Sequence, residues 1–367
     1  MDDRPFASSI VHRPSSIVFP KMPSYFSTFA SGLQEVAQDA LARQLGDAKI
    51  ELALDGLIVY QTGQPIQQIK NIRFFNNTFL LLRLFQNPRE AALAPMMTAV
   101  MKAADALVIP PAVTQAAQFY RITASRHNQT MPIDRDTLAQ LERVFSPKLG
   151  LRVHRTLPDV EVWFLERSEG LGLAGIRLTR RAATEKELQR GELKPELANI
   201  LCLISEPNKD DVFLDPFAGS GAIPLERARG FPARRVLASD INPLAVKHLR
   251  ARAAQEKVRL AVEECDALAL RHVADGALDK IVTDPPWGLF EAQNAAALSA
   301  FYAAMLREFE RVLKPGGLAI VLMGQKELFE GAIPAAQLET LNRYDILVSG
   351  KKAAIYKLRK RALTSDP

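Results

Sequence analysis

The stretch FLDPFAGSGAIPLERA, Phe213 to Ala228, decides the fold. An apolar run ends in an acid, Asp215, and turns through Pro216 and two glycines, Gly219 and Gly221, into a helical pattern. A strand that passes through a glycine turn into a helix is the unit of a doubly wound sheet, whose ligands gather beyond the C-terminal ends of the strands. Glycine there lets the backbone come close to a ligand with no Cβ between them. Taken alone, the motif also fits a plain strand-to-helix turn. A Walker phosphate loop is excluded, because no Gly-Lys-Ser/Thr follows.

Working outward, the chain alternates strand and helix from about Pro195. ELANILCLIS reads as a helix and DVFLD as a buried strand. RVLASD is a strand ending at Asp240, and VRLAVEECD another, ending at Asp266. A carboxylate in the place of Asp240 can accept both hydroxyl protons of a ribose, although an acid at a strand end also serves as a helix cap. Asp266 is placed to reach the edge of an adenine. The chain closes as a hairpin around Ser349-Gly350, so the expected sheet is parallel with an antiparallel end.

KIVTDPPWG, from Lys280, carries the chemistry. Two prolines directly after Asp284 remove backbone donors and lock φ, so the carbonyls there are expected to be free and rigidly aimed. The amino group of a nucleobase is a poor nucleophile, because its lone pair is delocalised into the ring. A carboxylate and a carbonyl that accept its two N–H bonds localise that pair. Trp287 offers a face for stacking, worth roughly 1–3 kcal/mol per base. A structural Pro-Pro turn with Trp287 filling a gap is the alternative.

The first half lacks this alternation. SYFSTFASGLQEVAQDALARQLG reads as a strand and then a helix with Leu33, Val36, Ala37, Ala40, Leu41 and Leu45 at helical spacing. AKIELALDGLIVYQTG reads as two strands about Asp55-Gly56, and Ile66 to Leu84 as a second helical stretch. QFYRITASRHN and LPDVEVWFLER read as strands, with a helix capped by Asp134 or Asp136 between them. Helices mixed with strands in this way predict a small α+β unit.

Asp-Pro-Pro-Trp at Asp284 to Trp287 resembles the (Asn/Asp)-Pro-Pro-(Tyr/Phe/Trp) loop of S-adenosylmethionine-dependent amino-methyltransferases. DPFAGSGA resembles their cofactor loop, and LKPGG, Leu313 to Gly317, the turn before a late strand. This resemblance covers about Leu193 to Lys360. YFSTFASGLQEVAQDALARQLG, GLIVYQTG, FYRITASR and LPDVEVWFLE are similar to the successive pieces of a THUMP domain with its ferredoxin-like extension. The whole resembles the THUMP-containing tRNA guanine-N2 methyltransferases, whose short segment before the cofactor loop GELKPELA also resembles. The chain departs from the common pattern at Ala222, where relatives often carry Thr, and in having Asp and Trp where Asn and Tyr are frequent.

The resemblance implies an α/β fold: a C-terminal doubly wound, seven-stranded, Rossmann-like methyltransferase sheet over 195–361, preceded by an α+β THUMP module over 24–168. A flexible lead-in over 1–23 and a linker over 169–194 complete the expected division. It implies that Asp215, Pro216, Phe217, Ala218, Gly219 and Gly221 approach the methionine part of S-adenosylmethionine. Asp240 and Ile241 would hold the ribose side and Asp266 and Ala267 the adenine, with Asp284 bordering the cofactor. Asp284, Pro285, Pro286 and Trp287 would form the catalytic loop. The implied reaction is methyl transfer to the exocyclic N2 amine of a tRNA guanosine, at position 6 of the acceptor stem ahead of position 10. A 23S ribosomal RNA guanine-N2 methyltransferase and a non-catalytic RNA-binding protein of the same fold stay open, and the loop also serves adenine and cytosine amines.

The remaining features set bounds. A formal charge of +6 over 367 residues is compatible with nucleic acid without demanding it. Arg177, Arg180, Arg181, Arg190 and Lys194 lie on the charged connection IRLTRRAATEKELQRGELK, where an RNA bridging the halves would pass; a solvated linker is the plainer reading. His127, His154, His248 and His272 have no consistent partners in sequence and read as surface or packing residues. Two separated cysteines, Cys202 and Cys265, and scattered histidines point to a reducing compartment and away from a metal site. The start MDDRPFASSI has an acidic pair where a secretory signal would carry basic residues, and no apolar run spans a bilayer, so the expected place is the cytoplasm. With no heptad or broad apolar stripe, a monomer is the default, with an activating partner protein left open.

Overall fold

The computed structural model describes residues 22–179, 192–288, 295–348 and 350–362. The lead-in up to residue 21 and Ser349 of the closing hairpin lie outside them.

The first half is one mixed sheet. β1 (Ser24–Thr28), α1 (Gln34–Gln44), β2 (Lys49–Leu54), β3 (Leu57–Gln61), α2 (Ile66–Lys70) and β4 (Asn77–Phe85) follow as β-α-β-β-α-β and pair in the order β2-β3-β1-β4. That is the ferredoxin-like arrangement. After α3 (Pro88–Ala91) and α4 (Leu93–Lys102) come β5 (Phe119–Arg126), β6 (Gln129–Met131), α5 (Arg135–Leu149), β7 (Arg152–Val153), β8 (Val160–Glu166) and β9 (Gly172–Arg177). They extend the same sheet as β4-β9-β8-β5-β6, with β7 beside β5. Asp134 caps α5, its side chain accepting the Thr137 N–H at 2.9 Å.

Two local expectations fail here. Ile66 to Leu84 is not a helix: α2 is a single turn and a half, and the rest is β4. β4 lies between β1 and β9 and buries both faces, Leu80 in the large core and Phe79 in a second apolar cluster. A strand buried on both sides loses its period of two and cannot be told from a buried helix by pattern. Gly172–Arg177, which the sequence reading put in the connection, is β9, packed between β4 and β8. Its small residues look like a loop, yet a Cβ at Gly175 would come within 2.6 Å of Phe26 Cε1. The glycine is what lets the aromatic ring of β1 lie there.

The second half follows the alternation read from sequence: α6 (Pro195–Ile204), β10 (Val212–Asp215), α7 (Ala222–Gly230), β11 (Arg235–Asp240), α8 (Pro243–Gln255), β12 (Ala261–Glu264), β13 (Leu278–Thr283), α9 (Ala295–Val312), β14 (Leu313–Met323), α10 (Lys326–Ala332), β15 (Leu338–Val348) and β16 (Lys351–Lys360). The sheet has seven strands in the order β12-β11-β10-β13-β14-β16-β15, with only β16 antiparallel to its neighbours. The inner strands β10, β11, β13 and β14 are largely buried because helices cover both faces, whereas edge strand β12 leaves Glu263 and Glu264 exposed.

The halves are joined by packing as well as by chain. One apolar cluster includes Tyr25 and Phe75 from the first half and Phe213 and Ile346 from the second. Arg73, just after α2, grips Glu226 of α7 with two donors, its Nε lying 2.8 Å from Oε2. Glu226 is 2% exposed and also accepts from Asn199 at 3.2 Å.

Candidate active site

Strand register brings four acids to one edge. β10 and β11 align Asp215 with Ala238, which leaves Asp240 two residues further out. β11 and β12 align Asp240 with Glu264, and Asp266 follows beyond it. β10 and β13 align Leu214 with Ile281, so Asp284 also projects past the edge. In the order β12-β11-β10-β13 these acids span three inter-strand spacings, about 14 Å. The winding of the sheet reverses between β10 and β13, which is where an open α/β sheet leaves its crevice.

The glycine loop fills that crevice's floor. Gly219 and Gly221 have φ of 48° and 89°. A Cβ at Gly221 would stand 2.2 Å from Cδ1 of Leu249, so this glycine allows α8 to pack. A Cβ at Gly219 would meet nothing within 4 Å, so the backbone there faces open space. Asp240 sets the loop: Oδ2 accepts the Gly219 N–H at 2.8 Å and Oδ1 the Asn242 N–H at 2.9 Å. A carboxylate has about four acceptor sites, so each oxygen keeps one for a ligand hydroxyl. Beside it, Ile241 is 68% exposed, an apolar side chain left in the open.

The other predicted cofactor residues divide by burial. Asp266 is exposed and accepts the Leu268 N–H at 2.9 Å, while Ala267 is buried behind it. Pro216 and Ala218 are buried, and Phe217 is half-buried with its ring 6.1 Å from that of Phe301. Asp215 lies beneath the loop, 1% exposed, with Oδ1 accepting the Thr283 hydroxyl at 2.8 Å and the Phe217 N–H at 3.2 Å. Burial pushes its carboxyl up to about 7; those two hydrogen bonds oppose the rise, and Asp284 and Asp240 add to it by repulsion.

Asp284 opens the Asp-Pro-Pro-Trp loop at the end of β13, with Pro285 buried and Pro286 exposed. The Pro286 carbonyl is not free, as the proline pair suggested: the hydroxyl of Tyr302, from α9, donates to it at 3.0 Å and pins the loop. Trp287 turns back so that its Nε1 donates to Asp284 Oδ1 at 2.9 Å. Its ring lies on Gly324 at the end of β14, where a Cβ would come within 2.3 Å of Cε3. Desolvation raises the Asp284 carboxyl to about 7, and the indole bond holds it below where burial alone would put it.

Thr283, Tyr302 and Gly324 escaped the sequence reading. The first adjoins the Asp-Pro-Pro motif and could have been suspected; the other two reach the site only through tertiary packing. Of the basic residues expected on the connection, Arg180, Arg181 and Arg190 lie outside the described residues. Arg177 sits in β9, donating to Glu161 at 3.1 Å next to an Arg121–Glu161 pair, so it belongs to an ion network on the sheet. Lys194 is exposed at the N-terminal end of α6. The ring of His154 packs edge-on against Phe119 and accepts the Leu157 N–H at 3.0 Å, a packing role. Among the described residues no cluster of three or more His, Cys, Asp or Glu could hold a metal, and no helix is long and apolar enough to cross a membrane.

Known proteins share this arrangement. The family described as "RMKL-like, methyltransferase domain" matches residues 183–353. A tRNA (guanine(6)-N2)-methyltransferase of Thermus thermophilus is 30% identical over 62% of this chain and 69% of its own length. The chain belongs to the tRNA guanine-N2 methyltransferase family. Within that family, the Bos taurus tRNA (guanine(6)-N(2))-methyltransferase THUMP3 is 29% identical over 55% of this chain. The match spans only 43% of that longer relative. The crystal structure of TrmN from Thermus thermophilus superposes with a TM-score of 0.75 at 23% identity, covering 92% of this chain and 99% of its own. The shared fold thus extends over both sheets and not over the second alone.

Proposed function

We propose that this chain transfers a methyl group from S-adenosylmethionine to the N2 amine of a guanosine in tRNA, with position 6 of the acceptor stem first and position 10 next. The observation that carries the reading is the juxtaposition of Asp284 at the end of β13 with the open backbone at Gly219, one strand away. The names of the Thermus and bovine relatives support the choice of base, RNA and position.

The residues present fit the cofactor. The space over Gly219 takes its methionine part, the spare acceptor sites of Asp240 take the ribose hydroxyls, and exposed Ile241 gives an apolar surface for the adenine, with Asp266 at its edge. When bound, the cofactor supplies a sulfonium-activated methyl group and leaves as S-adenosylhomocysteine.

Asp284 does the orienting. Its carboxylate accepts an N–H of the target amine, which turns the nitrogen lone pair toward the methyl carbon and makes attack a matter of alignment. An amine that takes up a methyl group must lose a proton. A carboxyl raised to about 7 is matched to receive it at neutral pH and pass it to water. Pro285 and Pro286 stiffen the loop, and Tyr302 fixes its carbonyl.

The first sheet, taken through β9, is assigned to RNA contact and residues 195–361 to chemistry. Lys194, with Arg180, Arg181 and Arg190, is assigned to phosphates between them, so binding should weaken steeply with salt. The two free cysteines agree with a reducing cytoplasm.

Asp284→Ala tests the assignment. With a labelled methyl donor and unmodified tRNA, the variant should transfer nothing while binding the cofactor nearly as the wild type does by calorimetry. If transfer survives, Asp284 is not the orienting acid.

A further inference from the structure

The contact between Trp287 and Asp284 asks for more than a stacking face. On the proposed methyl transfer at Asp284, an aromatic ring in position 287 could serve merely by lying against the target base. The indole does something a phenyl ring could not: Nε1 donates to Oδ1 of Asp284 at 2.9 Å. Two further contacts hold this geometry. The ring lies on the backbone of Gly324, where any side chain would intrude at 2.3 Å. The loop between the two residues is tied by Tyr302 to the Pro286 carbonyl at 3.0 Å.

We propose that Trp287 is a positioning residue, whose indole N–H holds Oδ1 of Asp284 so that Oδ2 is presented to the incoming amine. The terminal torsion of an aspartate is broad, so an untethered carboxylate would sample orientations that do not aim the amine. Clamping one oxygen removes that freedom before the substrate arrives. The bond also favours the ionised carboxylate, the form that accepts two N–H donors. Asp215 faces Asp284 from β10 with repulsion, α9 brings Tyr302 with its hydroxyl committed to Pro286, and β14 brings uncharged Gly324. Among the described residues the indole is therefore the donor that offsets burial at this acid.

Trp287→Phe keeps a ring on Gly324 and removes the donor. Initial rates with tRNA as a function of pH should show kcat falling about ten- to hundredfold at neutral pH. KM for tRNA should stay within about twofold, and the acidic limb of the profile should move to higher pH. Gly324→Ala, which drives the indole off its seat, should reproduce both changes. Wild-type kcat and an unmoved limb in Trp287→Phe, with tRNA affinity lost in Trp287→Ala, would overturn the proposal and leave Trp287 a stacking face. Absence of any methyl transfer by the wild-type protein would overturn the functional reading, and this inference with it.

Discussion

Asp240 Oδ2 accepts the Gly219 N–H at 2.8 Å, so the acid that ends β11 sets the glycine loop that follows β10. One side chain thereby shapes the glycine loop while its remaining acceptor sites stay available for the ribose of the proposed cofactor site. Asp240→Ala should weaken S-adenosylmethionine binding about ten- to hundredfold, the loss of hydrogen bonds at a charged acceptor. Calorimetry reads this directly; an unchanged dissociation constant would remove Asp240 from the cofactor site.

Buried Asp215 should cost the protein stability at neutral pH. Its carboxyl is raised from 3.8 to about 7, so between those values the folded state holds a proton that the unfolded chain has released. Stability from this group is therefore present below about pH 4 and lost as pH rises through 7. Asp215→Asn keeps an oxygen for the Thr283 hydroxyl and removes the charge. Urea melts should show it roughly 1–3 kcal/mol more stable than the wild type at pH 8, with little difference near pH 4. Equal gains at both values would mean that the charge is not the cause.

The Arg73–Glu226 contact should matter to folding more than to chemistry. Glu226 is 2% exposed, so removing its bidentate partner leaves a buried carboxylate held by Asn199 and a more distant Arg229. Arg73→Ala should cost on the order of 2–3 kcal/mol. Arg73→Ala with Glu226→Gln should recover part of that. A single variant as stable as the wild type would show that water already solvates the acid.

Activity should fall as pH drops through about 7, because Asp284 accepts an amine proton only when ionised. One pH unit below that point, kcat/KM should be about tenfold lower. Asp215→Asn should keep this limb, moved only toward lower pH by the lost repulsion, and Asp284→Asn should flatten it. The reverse pattern would assign the limb to Asp215.

Much of this was legible in the residues. The second half reads strand by strand because its parallel strands are mostly short apolar runs bounded by turn residues, and β10, β11, β12 and β13 each end at or just before an acid. DPFAGSGA and TDPPWG stand out because glycine and proline declare backbone geometry in sequence. β4 and β9 were not legible: the first is apolar on both faces, and the second uses glycine for close packing against Phe26, which looks like a loop. Trp287 was read as a platform because sequence shows an aromatic beside an acid and not which atom faces which. The bond from its Nε1 to Asp284 depends on Gly324, some forty positions away, leaving room for the ring. The place of Arg177 in a strand was hidden for the same reason, since its partner Glu161 comes from the neighbouring strand.

Methyl transfer to transcripts, followed by digestion and mass spectrometry of the nucleosides, tests the central claim most directly. Unmodified tRNA and ribosomal RNA are offered separately with labelled S-adenosylmethionine to the wild type and to Asp284→Ala. The expected result is labelled N2-methylguanosine from tRNA alone, mapped to position 6, and none from the variant. Label on adenine, or in ribosomal RNA and not tRNA, would contradict the substrate assigned to this site.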